Sequence, residues 1–252
     1  MNIGLAGRVC LLVYLKCKNS KKKRATKPER PPIIKPPLIL SYMNIQYLNL
    51  FAGIGGNRLL IDNCQVTAIE VDKNLAGFYQ TEFPNDIVIT GNAYDFVYKN
   101  FREFDFIWAS PPCQSHSKMS LCNPRSGVYT PDFRLYELIF FLQRNCRVPW
   151  VVENVIPYYN PLINHSYIIG RHMFWSNYIP ALTGFSVGKI PGLFNKHSIK
   201  DAQELMRYYG FKNHAIMYAE GNRNPVQVIR NCVNPKIGEM IYKSRPVNLT
   251  LF

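Results

Sequence analysis

From Met43 onward, short apolar runs alternate with longer segments in which apolar residues return at helical spacing. Six runs read as strands: Gln46 to Leu50, Val66 to Glu70, Ile87 to Thr90, Phe104 to Ala109, Trp150 to Val152, and one around Met173 to Ser176. Helices are predicted between them at Gly56 to Asp62, Lys73 to Glu82 and Asp132 to Cys146, the last from the spacing of Phe133, Leu135, Leu138, Ile139 and Leu142. Strand and helix in alternation predict an α/β fold, a mostly parallel twisted sheet with helices on both faces. Ligands of such sheets bind beyond the carboxyl ends of the strands. After Asn177 the texture turns to Gly, Pro and aromatic residues, and 177–197 reads as a small irregular insertion. Helical patterns return at Ile199 to Tyr209 and Pro225 to Lys243, so 198–252 is expected to complete the domain begun at 43–176.

The first 42 residues form a different texture: a short apolar stretch, the basic run Lys21 to Arg24, then the proline-rich Pro28 to Pro37. Such a segment buries too little surface to fold alone and is expected to be a disordered extension, with Met43 the natural start. This extension also changes the meaning of the charge. It holds ten Lys or Arg and one acid, so nine of the fourteen net positive charges sit there and five on the rest. A modestly basic body suits a protein gripping a polyanion, but the balance alone does not decide it. Seven scattered cysteines contain no C-x-x-C pair, and the five histidines make no H-x-x-x-H or H-E-x-x-H pattern. Neither a metal nor a redox motif is expected, and a reducing, cytoplasmic setting is. No apolar run reaches the roughly 18 to 20 residues that cross a bilayer.

Three motifs sit at predicted strand ends. Leu50-Phe51-Ala52-Gly53-Ile54-Gly55-Gly56 follows the first strand, where glycines let the backbone turn tightly and approach a ligand. Such a turn serves many nucleotide cofactors and sometimes only packing. Glu70 ends the second strand, where an acid can accept both hydroxyls of a ribose or can cap a helix. Asn92, after the third strand, suits an adenine amino group or an ordinary turn. In Ser110-Pro111-Pro112-Cys113-Gln114-Ser115 the cysteine follows two prolines and opens a polar loop, unlike a structural cysteine within an apolar run. Prolines fix the backbone and can aim a thiol into a cleft. Glu153-Asn154-Val155 places an acid at the end of an apolar strand, costly unless solvated or paired, and so a candidate for chemistry or a salt bridge.

The ordered set F-A-G-I-G-G, E-V-D, P-P-C-Q-S, E-N-V, G-R-H and R-N-C-V-N-P-K-I-G resembles the cytosine-C5 DNA methyltransferase family, particularly its small phage and prophage members, over about Met43 to Tyr242. The resemblance implies a Rossmann-like S-adenosylmethionine-dependent methyltransferase fold, double-stranded DNA as substrate and a cytosine flipped out of the helix. It assigns Cys113 to attack carbon 6, Glu153 to hold ring nitrogen 3 and the exocyclic amine, and Arg171 to contact the cytosine O2 or nearby backbone. For S-adenosylmethionine it implicates Phe51, Gly53, Gly55, Gly56, Glu70, Asn92, Pro112, Asn231 and Cys232. DNA contacts are expected from Gln114, Ser115, Lys118 and Arg125 in a loop closing over DNA, and target recognition from 177–197. A monomer without metal is expected, in a bacterial or phage-infected cell and a restriction–modification context.

The sequence departs from the family pattern in places. Asn49 and Asn92 stand where the family has Asp, Gly170 where it has Gln or Lys, and Met173 where a second arginine would lie. These departures motivate a second reading, a catalytically impaired DNA-binding relic. Cytosine methylation of tRNA by the same chemistry is a third.

Overall fold

Strands buried on both faces need apolar residues at successive positions, and this requirement shapes the sheet. The computed structural model describes residues 45–118, 130–183, 185–186, 198–220 and 224–246. The 1–42 extension, Arg125 and much of the recognition segment at 177–197 lie outside the described residues. Strands β1 (Ile45–Leu50), β2 (Cys64–Glu70), β3 (Ile87–Thr90), β4 (Phe106–Ala109), β5 (Trp150–Val155), β6 (Tyr167–Ile169) and β7 (His172–Ser176) form one sheet in the order β3-β2-β1-β4-β5-β7-β6. The pairs among β1 to β5 are parallel, while β7 runs antiparallel to both β5 and β6.

On one face Leu48, Leu50, Ile69, Ile107, Ala109, Trp150 and Val152 pack against α2 (Ala93–Asn100) and α3 (Arg134–Asn145). On the other, Tyr47, Val66, Phe106, Trp108 and Val151 pack against α6 (Pro235–Lys243), and Ala68 meets Tyr79 and Phe83 at α1 (Lys73–Glu82). Trp108 and Phe106 are fully buried, each side chain contributing about 1.5–3 kcal/mol.

Four elements differ from the sequence reading. The helix expected over Gly56 to Asp62 is a single 3-10 turn, Gly56–Arg58, entered from β1 through left-handed residues Phe51, Gly53 and Gly55. The pattern from Pro225 to Lys243 is two helices, α5 (Pro225–Asn231) and α6, broken where Asn234 caps α6 and Pro235 removes an amide from its first turn. Helix α2 went unread because only Ala93, Tyr94 and Val97 of its eight residues are buried. Strand β6 has three residues, too few to show a period.

Helix α4 (Ile199–Tyr209) opens with a capping box between Ser198 and Asp201. It packs with α5 on Ile54 and Phe78. The connection after it is held by acids of α1 and its cap. The buried Glu82 carboxylate accepts the amides of Lys212 at 2.9 Å and Asn213 at 2.8 Å, and Asp72 accepts that of Glu220 at 2.5 Å. These bonds lay the segment leading to α5 over the mouth of the sheet, where the motifs converge.

Candidate active site

A cavity of about 360 Å³ opens at the carboxyl ends of β1, β2, β4 and β5, within the usual range for small-molecule sites. Because β7 is antiparallel, its amino end, with Arg171 and His172, comes to the same edge.

The β1 turn forms one wall. Gly53 takes φ +53°, and a Cβ there would meet nothing within 4 Å, so its backbone faces open cavity. Its amide donates to Glu70 Oε2 at 2.7 Å, and the Asp72 amide donates to Oε1 at 2.9 Å. Burial pushes the Glu70 carboxyl above its ordinary range, with the amide donors working against the rise. Gly56 serves close packing: a Cβ would lie 2.0 Å from Cys232 Sγ and 2.4 Å from the Val233 carbonyl oxygen. Beneath the turn, buried Asn49 accepts from Asn57 Nδ2 at 2.7 Å, and the same amide reaches Tyr47 OH at 2.9 Å. A neutral amide at position 49 therefore pairs with another neutral amide, an arrangement in which a buried carboxylate would carry an uncompensated charge.

Cys113 stands on the opposite wall. Trp108 Nε1 donates to Ser110 Oγ at 2.9 Å, and Asn154 Nδ2, fully buried on β5, donates to the Pro111 carbonyl at 3.0 Å. The E-N-V motif thus supplies both an acid for the cavity and the tie that holds the cysteine loop. Beyond it, the Cys113 carbonyl accepts the amides of His116 and Ser117, each at 3.0 Å. The His116 ring is buried, its Nδ1 lies 2.5 Å from Tyr159 OH, and Tyr136 OH donates to Tyr159 OH at 3.2 Å.

Burial first, and then the negative field of Glu153, push the Cys113 thiol above its ordinary value, while Arg171 pulls it down. Cys232, by contrast, is sealed against Gly56 and raised by burial to about 12. Alkylation of Cys113 by iodoacetamide, followed by mass spectrometry of its peptide, is expected to be slow at pH 7.5 and to rise about tenfold per pH unit, because only thiolate reacts. Glu153→Gln accelerates it and Arg171→Ala slows it.

Burial lowers the pKa of His116, against a weaker pull upward from Asp132. The unfolded chain, whose histidines titrate near about 6.5, takes up the proton first. Stability is thus unaffected by this group above that value and falls as pH drops from it toward the folded pKa. The melting temperature is expected to fall between pH 7.5 and 5.5, with a shallower slope in His116→Gln; an unchanged slope would show that other groups set it.

Glu153 itself is buried, and its Oε1 receives Nδ1 of His172. The other ring nitrogen, Nε2, accepts from Arg171 Nε at 3.1 Å, and Arg171 Nη2 donates to the Arg230 carbonyl of α5. Sequence reasoning singled out Arg171 of G-R-H and passed over its neighbour. The available signal was register: on a strand pairing with β5, alternate residues share a face with Glu153.

The cavity brings together Phe51, Gly53, Gly56, Glu70, Pro112, Cys113, Gln114, Glu153, Arg171, Asn231 and Cys232. Other expected site residues lie elsewhere. Gly55 packs behind the turn, where a Cβ would meet the Phe83 ring at 2.3 Å. The Asn92 side chain caps α2 by accepting from the amides of Tyr94 and Asp95, outside the cavity lining. Ser115 Oγ accepts the Asp132 amide at 3.0 Å, and Lys118 is exposed, both away from the lining.

Residues 45–127 match the family model described as C-5 cytosine-specific DNA methylase. The match covers about a third of the chain and is a similarity on that segment. The matched segment holds the glycine turn, Glu70 and Cys113, while Glu153, Arg171 and His172 lie beyond it. Over 80% of the chain the fold is similar to the Entamoeba histolytica methyltransferase EhMeth, at a TM-score of 0.50, 11% identity and 98% coverage of that chain. The architecture is the Rossmann-like fold of S-adenosylmethionine-dependent methyltransferases. A Spodoptera frugiperda DNMT2 mutant is 25% identical over 44% of this chain, with a TM-score of 0.34. Dnmt2 of S. pombe is 20% identical over 44%, with a TM-score of 0.33. The chain spans 36% of the length of each of these two proteins. A comparison with curated protein sequences finds no match.

Proposed function

We propose that this chain transfers a methyl group from S-adenosylmethionine to carbon 5 of cytosine in double-stranded DNA, with Cys113 as a covalent nucleophile. The observation that carries the reading is that Cys113 and Glu153, from the ends of adjacent strands β4 and β5, line one cavity with Arg171, close enough for both charges to act on the thiol. The cofactor residues fit the same reading. Glu70 offers a carboxylate at a glycine turn whose backbone faces open space, suited to a ribose, with Phe51, Pro112 and Asn231 beside it. When bound, S-adenosylmethionine supplies an electrophilic methyl group.

Carbon 5 of cytosine is a weak nucleophile. Addition of the Cys113 thiolate to carbon 6 forms a carbon–sulfur bond and shifts the ring π-electrons, so that carbon 5 becomes enamine-like and able to take the methyl. Glu153, carrying a proton for this step, donates it toward ring nitrogen 3 as negative charge builds there and accepts from the exocyclic amine, the kind of stabilisation that works best in a site closed to water. Carbon 5 takes the methyl as the bond from methyl to the sulfonium sulfur breaks; loss of the carbon 5 proton to solvent then re-forms the double bond and expels the thiolate. Arg171 favours the thiolate and is assigned to the cytosine O2 or the backbone near it. The base must leave the stack first, at a cost of a few kcal/mol.

The amide departures do not favour a relic: Asn49 is satisfied within a buried network and Asn92 caps a helix outside the cavity. The test is transfer of radiolabelled methyl from S-adenosylmethionine to duplex DNA and, in parallel, to tRNA. Label in DNA cytosine supports the proposal. Label in tRNA alone moves the substrate to RNA, and absence of both transfer and cofactor binding by calorimetry overturns it.

A further inference from the structure

We infer that His172 is the residue that positions Glu153, holding one carboxylate oxygen through Nδ1–H so that the other is left for the base. The inference rests on the reading of Glu153 as the acid that holds cytosine.

Register brings the two residues together. β5 and β7 are antiparallel, with Glu153 opposite Phe174 and Val155 opposite His172. His172 is therefore a diagonal neighbour of Glu153 on the same face, within reach of a long side chain. Met173 alternates to the other face and is buried in the core formed with α2 and α3, so no residue type at 173 is placed to meet the Glu153 carboxylate from that face. The side chains of His172 and Glu153 are 10% and 7% exposed, so little water competes for the bond.

Hydrogen-bond chemistry then assigns the proton. A guanidinium has only donors, so Arg171 Nε–H facing Nε2 requires a lone pair there. The ring proton consequently sits on Nδ1, pointing at Glu153 Oε1. Arg171 is itself anchored on the Arg230 carbonyl, which closes a chain from α5 through Arg171 and His172 to Glu153. The charged groups around the imidazole are Glu153 from β5 and Arg171 beside it, with Arg171 in turn acting on Arg230 of α5 and Glu153 on Cys113 across the cavity. A neutral imidazole between a guanidinium and a carboxylate fixes the acid's orientation while leaving it able to accept from the exocyclic amine.

The test uses the full chain and two substitutions, with methyl transfer to a cytosine-containing duplex as one readout. His172→Phe keeps a ring but no donor, and lowers kcat about 10²-fold, in the range of a lost positioned polar group, with KM for S-adenosylmethionine within about twofold. His172→Asn, whose amide nitrogen stands near the place of Nδ1, recovers kcat to within about tenfold of wild type. Melting temperatures confirm folding. Equal loss in both variants, or wild-type kcat in His172→Phe, overturns the inference. A second readout is independent of turnover: nitrogen-15 NMR of the imidazole is expected to show the Nδ1–H tautomer, with its resonance displaced in Glu153→Gln. An Nε2–H tautomer overturns the pairing even in an active enzyme. If the wild-type chain transfers no methyl while the Nδ1–H tautomer is found, the functional reading fails and the pairing stands.

Discussion

Replacing Cys113 by serine is expected to lower methyl transfer on the order of 10⁴-fold or more, the scale of loss when a covalent nucleophile is removed. The fold should survive, because the thiol is only partly buried and its loop is held by the Asn154 bond to Pro111 and by backbone bonds to the Cys113 carbonyl. Serine keeps the size but ionises far less readily than a thiol, so addition to carbon 6 stops. A duplex carrying 5-fluorocytosine sharpens the test, since fluorine cannot leave as a proton does and the sulfur–carbon bond persists. Wild type should then yield a protein–DNA adduct that survives denaturation and maps to Cys113, and Cys113→Ser none. An adduct on Cys64, Cys146 or Cys232, or full activity in the serine variant, would refute the assignment. Place argues against Cys64 and Cys146, which lie outside the cavity lining, and burial against Cys232, raised to about 12.

The second large effect is expected at Gly56. Alanine there drives a methyl group into Cys232 Sγ at 2.0 Å and the Val233 carbonyl at 2.4 Å. The sulfur is sealed in the core and the carbonyl is backbone, so neither can yield without moving the link between α5 and α6. Overpacking of this kind costs about 1–3 kcal/mol, and more where the neighbours are fixed. Because that link carries Asn231 and Cys232 into the cavity, affinity for S-adenosylmethionine should fall together with the melting temperature. Gly53→Ala provides the contrast. Its Cβ meets open space, leaving the left-handed backbone strain of about 1–3 kcal/mol as the main cost. If Gly56→Ala melts and binds cofactor like wild type, the close approach seen here is not required. Adding Cys232→Ala should restore only part of the loss, since the carbonyl contact remains.

Much of the site was legible along the chain because its constraints are local. The Pro111-Pro112-Cys113 run, the acid closing Trp150 to Val152 and the glycines after Leu50 each break the apolar pattern of their strand, and in a parallel sheet such breaks gather at one edge. The six predicted strands are present, with shifted ends. The resemblance assigns Asn92 and Gly55 to the cofactor, and the fold adds what each of them meets: one caps α2 and the other packs on Phe83. The cap is local, made within three residues, whereas the Gly55 contact depends on a ring distant in sequence.

Residue order alone thus determined which groups can do chemistry, a proline-held thiol and a strand-end carboxylate, since their types and local backbone are set within a few residues. Tertiary structure decided what each of them meets. The antiparallel return of β7 makes His172 the partner of Glu153, and the packing of the α5–α6 link against the first turn gives Gly56 its necessity. Those contacts span tens of residues or more and depend on register and close approach, quantities that exist only once the chain has folded.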